Sequence, residues 1–446
     1  HWEVDRRVLS PCDQRDDFWW MGLGPGGPSR SLNNWTPWVN SNWLTANLLL
    51  ESDEQRRRRM VHKSLQSIDR FLESYHDDGG CDEGPGYWGR AGGSLFDCLE
   101  VLHSATGGGI DVYQDPLIQE IGRYIVRAHI HDIYFVNFAD ASAKVRIDGD
   151  LVFRYGRRIG DRDMQLLGAF AAGSGEGYTG RGDSIGRQLP ALFNVETLRA
   201  APKSQPLLRD VFLPGIQVIA ARLRQGSPEG LYLAAKGGHN AESHNHNDVG
   251  NFIVYADGQP VIIDIGVETY TAKTFSARRY EIWTMQSAWH NLPTIDGVMQ
   301  APGRQYAARE VDYRVSDRWA EFSLDIAKAY PPEAGIENWR RTVTLDRQAN
   351  QVRLRDQFRM TRKPGKMTLT LMTPRPVQVA QPGRLLLREV AVEFDPAVLQ
   401  PAVEEVPVQD ARLRDAWGDR LFRILLAAKA PSRQGEWLVR VSQTAG

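Results

Sequence analysis

The feature that most restricts the fold of this sequence is one change in its apolar periodicity, near residue 205. Before that point, apolar residues recur every three or four positions, which is typical of amphipathic helices. After it, short apolar runs are bounded by turn residues, which is typical of β-strands. The stretch 201–210, APKSQPLLRD, separates the two patterns and indicates a linker. A chain of 446 residues also exceeds one ordinary core, so a multidomain α+β protein is predicted.

The first 200 residues are predicted to be mostly helical. Gly-rich loops at 22–29, 77–93 and 173–183 carry many aromatic and polar residues. Such loops on a helical scaffold suit a sugar-binding cleft, because aromatic faces stack on sugar rings and polar groups select hydroxyls. Composition alone leaves open that they are ordinary helix connections. Helical spacing is found at 43–52, 56–76, 92–106 and 115–133.

The rest of the chain is predicted to form antiparallel sheets. Short turns join several of the strand patterns, and no helix pattern alternates with them, so a parallel sheet is disfavoured and a β-sandwich is favoured. The predicted domains are 1–204, 205–375 and 376–446. Strand patterns occupy 230–238, 249–266, 341–358, 366–374, 384–394, 422–430 and 436–443.

Charge, hydropathy and cysteine content exclude several classes of protein. The net charge of −1 recruits neither nucleic acid nor a membrane surface, and no apolar run approaches the roughly 20 residues that span a bilayer. The arginine run 56–59 indicates one solvated helix stretch. Three cysteines, at 12, 81 and 98, make neither a disulfide framework nor a CxxC metal pair. The chain begins with His1 and shows no signal-peptide pattern, so we interpret it as processed or truncated.

The stretch 241–252, AESHNHNDVGNF, is the strongest candidate for a functional site. His244 and His246 are two residues apart and would share a face of an extended chain. The following hairpin, which turns at 257–258, is expected to bring Asp264 back toward them, and an acid in such an apolar run is costly to bury unpaired.

His290, in QSAWHNLPTIDG, adds a second imidazole. Two histidines and a carboxylate form a common divalent-metal set, with zinc or manganese plausible. Separate hydrogen-bonded histidines remain an alternative.

Four motifs resemble the heparinase II/III-like polysaccharide lyases, in that family's order. They are ESHNHNDVGNFIVYADGQPVIIDIG at 242–266, RRYEIWTMQSAWHNLPTIDG at 278–297, LNNWTPW at 32–38 and DGGCDEGPGYWGRAGG at 78–93. The resemblance implies an α/α toroid followed by antiparallel β-sandwich domains. The family's toroid has more helices upstream, so the N-terminal part of the toroid is expected to be missing. It also implies an acidic polysaccharide substrate and a secreted or periplasmic location in a bacterium, with the signal peptide not visible in this sequence.

The resemblance implies β-elimination at a uronic acid, with four catalytic candidates. Asn34 would neutralise the substrate carboxylate, Tyr87 would transfer a proton, and His244 would be the partner base or acid. Tyr280 is a second tyrosine that could replace His244, so the acid and the base are not assigned. Judged as residues alone, Asn34 could instead cap a helix, and either tyrosine could belong to a core.

The same resemblance makes His246, Asp264 and His290 the ligands of a divalent metal, zinc or manganese, which would brace the loop of His244. Glu242 and Asp248 flank that set. The segment 137–161 also resembles the family, but neither Asp140 nor Arg154 is given a role. The expected substrate contacts are Asn33, Trp35, Glu83, Trp88, Arg90 and Arg279, with Arg278 and Arg304 as further basic candidates.

Three other functions remain open. A glycoside hydrolase would need two facing carboxylates, for which Asp82 and Glu83 are available. A metal-dependent hydrolase would use the His-Asp-His set directly. In a non-catalytic carbohydrate-binding or scaffold protein, Asn34, Tyr87 and His244 would be dispensable for function. For a lyase, glycosaminoglycans are the first expectation, and alginate or another acidic glycan the second.

Overall fold

The computed structural model describes residues 1–25, 32–174 and 184–444. The chain divides into two compact units. We call the first the helical unit; it comprises His1–Cys81, Pro85–Val126 and Arg146–Pro206. We call the second the β unit; it comprises Asp82–Gly84, Arg127–Val145 and Leu207–Gly446. The expected α+β composition is confirmed, whereas the toroid stays a prediction.

The four predicted helices are all present, together with further ones. They bury an apolar face, as their periodicity requires: Trp43, Met60, Leu95 and Ile121 are each 1% exposed or less. The bounds are α1 Trp2–Val4, α2 Ser10–Gln14, α3 Trp35–Leu50, α4 Glu54–Ser74, α5 Pro85–Trp88, α6 Gly92–Ala105, α7 Pro116–Arg127, α8 Gly149–Arg158, α9 Arg162–Ser174, α10 Ile185–Ala200 and, in the β unit, α11 Ala411–Trp417. Shorter turns of π or 3-10 helix occupy Asp5–Leu9, Trp19–Met21, Ala272–Phe275, Arg279–Glu281, Trp283–Met285, Ser287–Trp289, Ala327–Ala329 and Pro332–Ala334.

Two helix predictions need correction. The helix predicted at 43–52 begins eight residues earlier, at Trp35, where the side-chain oxygen of Asn33 accepts a hydrogen bond from the Trp35 N–H. The helix predicted at 115–133 ends at Arg127, because the chain then enters a small hairpin whose turn residue, Asp132, has a φ of 49°. Most of the predicted loops at 22–29 and 173–183 lies outside the described residues.

Every strand pair in the described ranges is antiparallel, as predicted from the absence of alternating helices. The strands are β1 His129–His131, β2 Tyr134–Phe135, β3 Asp210–Leu213, β4 Val218–Arg222, β5 Leu231–Lys236, β6 His239–Asn240, β7 Phe252–Ala256, β8 Gln259–Ile262, β9 Pro293–Ile295, β10 Gly303–Ala307, β11 Arg309–Val315, β12 Trp319–Asp325, β13 Ile336–Asp346, β14 Gln351–Met360, β15 Met367–Thr373, β16 Gln378–Gln381, β17 Arg384–Leu387, β18 Val390–Phe394, β19 Leu399–Pro407, β20 Arg420–Ala428 and β21 Gln434–Gln443.

Three sheets share the core of the β unit. Their orders are β3-β4-β5-β7-β8, β11-β12-β13-β14-β21-β18-β17-β16 and β19-β20-β15-β9. Buried side chains of all three meet in one apolar cluster, which includes Leu233, Phe322, Leu354 and Leu369. Burial of the apolar faces of these sheets against one another supplies the hydrophobic driving force that a β-sandwich needs. The hairpin β7–β8 turns at 257–258 as predicted, with Asp257 and Gly258 both at positive φ.

The observed units differ from the three predicted domains. The helical unit ends at Pro206, close to the predicted boundary. However, Asp82–Gly84 and Arg127–Val145 belong to the β unit, although both come from the helical part of the sequence. No boundary separates residues 375 and 376 in space, because one sheet joins β14 to β21 and then to β18. No helix in the described ranges is both long and apolar enough to cross a membrane.

Candidate functional site

The loop that carries the paired histidines is not the extended segment that the sequence predicted. Residues 241–250 form successive turns, and His244 has a φ of 56° in the left-handed region. Such a conformation is uncommon for a residue with a side chain, and surrounding contacts must hold it. The two imidazoles therefore reach a common partner through a turn and not through the alternation of a strand.

That common partner is the carboxylate of Asp140, which is fully buried. His244 Nδ1 lies 2.8 Å from Asp140 Oδ2, and His246 Nε2 lies 3.0 Å from Oδ1. Burial alone would raise the pKa of the Asp140 carboxyl, but hydrogen bonds from both histidines and the nearby Arg279 charge hold it well below its usual range. Asp140 is thus an anion, and an anion only accepts hydrogen bonds.

Two further side chains complete the surroundings of Asp140. The Tyr270 hydroxyl donates to Oδ2 at 3.0 Å and also lies 3.3 Å from His244 Nδ1. Arg279 Nη2 donates to Oδ1 at 2.7 Å. Its remaining nitrogens donate to the carbonyls of Asn245, at 2.9 Å, and Thr274, at 3.2 Å. The predicted role of Arg279 as a sugar ligand is therefore not supported; its guanidinium is bound within the protein.

Tyr280 lies in the short turn of helix that begins at Arg279. Its hydroxyl accepts a hydrogen bond of 3.2 Å from the side-chain amide of Asn245, the residue that follows His244. The structure therefore places Tyr280 against the loop that carries His244.

The three predicted metal ligands converge. One ligand atom each from His246, Asp264 and His290 lies within 4.8 Å of the other two, and all three side chains are fully buried. Asp264 Oδ2 lies 3.2 Å from His290 Nδ1 and accepts a hydrogen bond of 2.8 Å from the Asn251 amide. Its Oδ1 accepts one of 2.7 Å from the Gly266 N–H.

This set fits a divalent metal by a test that does not depend on any relative. His246 Nδ1 and His290 Nε2 are buried, and neither has a hydrogen-bond partner in the described part of the chain. Buried polar atoms are normally paired, so two orphaned ring nitrogens beside a carboxylate call for a ligand. Two imidazoles and one carboxylate form a donor set that zinc accepts readily.

Opposite charges stabilise the contact between His290 and Asp264 within this set. Burial alone would lower the pKa of the His290 imidazole, but the adjacent Asp264 carboxylate outweighs it and raises that pKa. Reciprocally, burial alone would raise the pKa of Asp264, but His290 lowers it. A divalent metal ion held by this set would supply positive charge beside the Asp264 carboxylate.

Glu242 and Asp248, predicted to flank the metal, instead bind the buried Lys236 ammonium, at 2.9 and 2.7 Å. Burial alone would lower the pKa of Lys236, but these two carboxylates raise it well above its usual range. The three side chains form an internal ion cluster at the base of the loop. The cluster stabilises the conformation of the loop, and its two carboxylates are not among the converging metal-ligand atoms.

The helical unit contains the other predicted catalytic and sugar-binding residues. Asn34 is buried at the start of α3, and its side chain makes no capping hydrogen bond to the helix. Tyr87 is half-buried in the one-turn helix α5. Trp35 is 46% exposed, and Arg90 is exposed with its guanidinium 4.6 Å above the ring of Trp38. These positions leave Trp35 and Arg90 accessible to a ligand.

Trp88 is a correction. It is 1% exposed, its indole N–H donates to the Ile121 carbonyl at 2.7 Å, and its ring stacks on Tyr155. It is a core residue of the helical unit and does not bind sugar. Arg154, which had no predicted role, forms an ion pair of 2.7 Å with Asp150 one turn away on α8.

The remaining predicted polar contacts lie in the β unit. Glu83 is 2% exposed, so it does not present a carboxylate to solvent. Asp82 accepts a hydrogen bond of 3.0 Å from the Ser243 N–H and so fixes the histidine loop. A facing pair of hydrolase carboxylates at these two positions is therefore not supported. Arg278 pairs with Glu281 at 2.8 Å, and Arg304 lies 3.2 Å from the His239 ring.

Sequence reasoning missed Asp140 and Tyr270 as members of the site. Asp140 lies in a turn within a stretch that resembled the family, so the resemblance located the segment without giving the residue a role. Tyr270 lies in coil between β8 and the short helix Ala272–Phe275, outside all four family motifs. No periodicity marks either residue, because neither lies on a regular helix or strand.

Residues 215–394 match the sequence model described as Heparinase II/III-like, C-terminal. The predicted family resemblance is thereby confirmed for this region, which includes the histidine loop and the metal set. A search of curated protein sequences gives no match.

Solved polysaccharide lyases share the fold at low sequence identity. A heparinase III with methylated lysines aligns with a TM-score of 0.68 and 13% identity over 93% of this chain and 59% of its own. The heparan sulfate lyase HepC of Pedobacter heparinus, as a mutant, gives 0.64 and 12% over 98% and 62%. The chondroitin AC lyase of Streptomyces coelicolor A3 gives 0.50 and 10% over 98% and 70%. This chain thus spans 59–62% of the length of the first two.

Proposed function

We propose that this chain is a polysaccharide lyase that cleaves a uronic-acid-containing polysaccharide by β-elimination. The observation that carries the proposal is His244, whose ring is bound to the buried Asp140 carboxylate beside a convergent His-Asp-His set. The match of residues 215–394 to the heparinase II/III-like family supports it.

The reaction has three requirements. A base removes the C5 proton beside the uronate carboxylate, the C4–O bond breaks, and an acid protonates the leaving oxygen while a C4=C5 double bond forms. Charge that develops on the carboxylate in the transition state must be stabilised by fixed donors. No water is consumed, which separates this chemistry from hydrolysis.

His244 is suited to proton transfer by its hydrogen bonds. Because the Asp140 carboxylate only accepts, His244 Nδ1 carries a proton and donates it. The other ring nitrogen, Nε2, is then the atom that can take a proton from carbon. Tyr280, which is bound to the same loop through Asn245, is the second candidate for base, and the choice depends on the stereochemistry of the uronate.

The helical unit supplies the other proposed roles. The Asn34 amide would donate to the substrate carboxylate without adding charge, and the Tyr87 phenol would protonate the leaving oxygen or act as the base. Trp35 and Arg90, both accessible, would contact the sugar ring and its acidic groups.

His246, Asp264 and His290 would hold a divalent metal, with zinc first and manganese second. The ion would supply a fixed positive charge that binds the histidine loop to β8 and to the short helix ending at Trp289. His246 shares the carboxylate of Asp140 with His244, so this brace lies two residues along the chain from the proton-transfer group.

A glycosaminoglycan is the proposed substrate class, with alginate or another acidic glycan second. The similar structures named above include a heparan sulfate lyase and a chondroitin lyase. Because the proposed substrate is a polysaccharide, a secreted or periplasmic location in a bacterium is expected.

The test is near-ultraviolet absorbance of the unsaturated product during incubation with heparan sulfate, hyaluronan, chondroitin sulfate and alginate. Wild type should act on at least one polymer, and His244→Ala and Tyr87→Phe should each lose on the order of 100-fold or more in kcat. Tyr255→Phe is the matched control, since it removes a buried hydroxyl that forms no hydrogen bond to a site residue in the described part of the chain. Reducing-end release without an absorbance rise would contradict the proposal and favour a hydrolase.

A further inference from the structure

We infer that Asp140 is a positioning residue that couples the metal set to His244, with a single carboxylate orienting both imidazoles. Its effect on turnover rests on the proposed lyase function, whereas its effects on metal binding and on the histidine rings do not. Asp140 lies outside the four family motifs, in the segment 137–161, whose resemblance to the family gave it no role.

The two oxygens of Asp140 divide their work between the two histidines. Oδ2 accepts from His244 and Tyr270, and Oδ1 accepts from His246 and Arg279. All four contacts are 3.0 Å or shorter. Rotation of the carboxylate to improve one pair of bonds would therefore break the other pair.

The direction of these bonds fixes where each ring keeps its proton. His244 donates from Nδ1 and His246 donates from Nε2. The nitrogens left to act as bases are Nε2 of His244 and Nδ1 of His246. The latter is the buried nitrogen that has no hydrogen-bond partner among the described residues, so the same carboxylate orients one ring for proton transfer and the other for a metal.

The backbone around Asp140 is itself anchored to the metal set. The Asn137 amide donates to the backbone carbonyl of Asp264 at 3.0 Å. Arg412 donates to the carbonyl of Asp140 at 2.7 Å, and the preceding Ala139 has a φ of 61°. A position fixed at both ends transmits a displacement of Asp264 to the carboxylate, and from there to His244.

The chemistry requires a carboxylate at this position. An asparagine side chain offers one acceptor oxygen and a donor amide, and the amide cannot accept from a donating histidine or arginine. Asp140→Asn keeps the size of the side chain but leaves at least two buried donors unpaired. Both histidines should then lose their fixed orientation together.

The experiment compares full-length Asp140→Asn with wild type by three measurements. Zinc affinity should fall on the order of 10- to 100-fold, as for other residues that orient a metal ligand. On the polymer that wild type cleaves, kcat should fall on the order of 100-fold or more while KM changes by less than about 3-fold. In ¹⁵N-histidine spectra, adding zinc should shift the His244 ring signals in wild type and leave them unchanged in the variant.

Two variants act as controls. Asp325→Asn removes a carboxylate that binds backbone N–H groups of Ala327 and Trp339, and should leave zinc affinity and the His244 signals unchanged. Tyr270→Phe removes one donor to Asp140 and is used if Asp140→Asn does not fold. It should lower kcat by about 3- to 10-fold, within the range of a single neutral hydrogen bond, and should lower zinc affinity in the same direction, because one carboxylate orients both rings. Unchanged zinc affinity in Tyr270→Phe would overturn the coupling.

The outcomes separate the two proposals. Unchanged zinc affinity in Asp140→Asn, or His244 signals that still respond to zinc in that variant, would overturn the coupling. A loss of affinity and of that response supports it even if wild type cleaves none of the polymers. In that case the coupling stands and the lyase function fails.

Discussion

Two buried clusters, each combining basic and acidic side chains, lie beside the same two loops of the β unit. They differ in whether all of their polar atoms have hydrogen-bond partners. The first is the ion pair of Arg341 and Asp356, both fully buried. Two nitrogens of Arg341 donate to the two Asp356 oxygens, at 2.8 and 2.7 Å. The third, Nη1, donates to the carbonyls of Gly250 and Asn291. Each charged atom of this pair has a protein partner.

The second group is the His246, Asp264 and His290 set, equally buried and next to the same loops. Here one nitrogen of each ring has no hydrogen-bond partner in the described ranges. Burial of charge therefore does not by itself indicate function. The contrast teaches that an incomplete set of partners around converging ligand atoms is the informative sign.

The largest effect is expected at the complete pair. Arg341→Met leaves the Asp356 carboxylate buried without its partner and should lower the free energy of unfolding by about 3–5 kcal/mol. Urea denaturation measures it. The double variant Arg341→Met, Asp356→Leu should recover most of that loss, because no unpaired charge remains. A loss below about 1 kcal/mol in the single variant would contradict the structural role of the pair.

The stability of the protein should depend on whether zinc is bound to the His246, Asp264 and His290 set. Zinc at 100 times its Kd should stabilise wild type by about 2.7 kcal/mol, and a chelator should reverse this. His290→Ala removes one ligand and should show no zinc-dependent change in Tm. Equal responses of wild type and variant in calorimetry would show that zinc binds elsewhere.

Another buried histidine sharpens the comparison. His129 also has a ring nitrogen without a hydrogen-bond partner in the part of the chain that the structure describes, but its other nitrogen binds the Asp132 carbonyl. Among the described residues, His129 belongs to no group of converging metal-ligand atoms. Burial lowers its pKa from 6.5 to about 3. Below pH 6.5, His129 binds a proton in the unfolded chain but stays neutral in the native state. The free energy of unfolding should therefore fall as the pH drops toward 3. The expected slope is up to about 1.4 kcal/mol per pH unit.

His129→Gln should flatten that slope, as measured by urea denaturation between pH 7 and the acid limit of folding. The zinc response of this variant should match wild type. An unchanged slope would mean that His129 is protonated in the native protein.

The smallest effect is expected at Tyr255, whose buried hydroxyl has no hydrogen-bond partner in the described ranges and which is not a member of the His246, Asp264 and His290 set. Tyr255→Phe should change stability by no more than about 0.5 kcal/mol and leave zinc affinity unaltered. Thermal unfolding and zinc titration check both points. A loss of zinc binding here would break the rule that converging ligands are needed.

Much of this molecule could be predicted from its sequence, for physical reasons. The change of apolar period separates helices from strands, since each element must bury one face. The turn at 257–258 needs positive φ, and Asp-Gly supplies it, so the return of Asp264 toward His246 followed from the hairpin. The convergence of His290 on that pair was an expectation from residue types, and the geometry agrees.

The rest depended on contacts that no local pattern encodes. Asp140 lies in a turn 104 residues before His244 in the chain, and only the folded β unit brings them together. Trp88 lies in a Gly-rich stretch that suggested a ligand loop, yet a carbonyl of α7 accepts its indole N–H and makes it core. The left-handed φ of His244 replaced the expected extended chain for the same reason, because tertiary hydrogen bonds outweighed local preference.

The most direct measurement is mass spectrometry of the products formed in water enriched in heavy oxygen. If the chain is a lyase, the two product masses sum to that of the substrate, the new nonreducing end lacks one water, and no heavy oxygen is incorporated. His244→Ala should give no product under the same conditions. Incorporation of one heavy oxygen per cleavage would contradict β-elimination and identify a hydrolase.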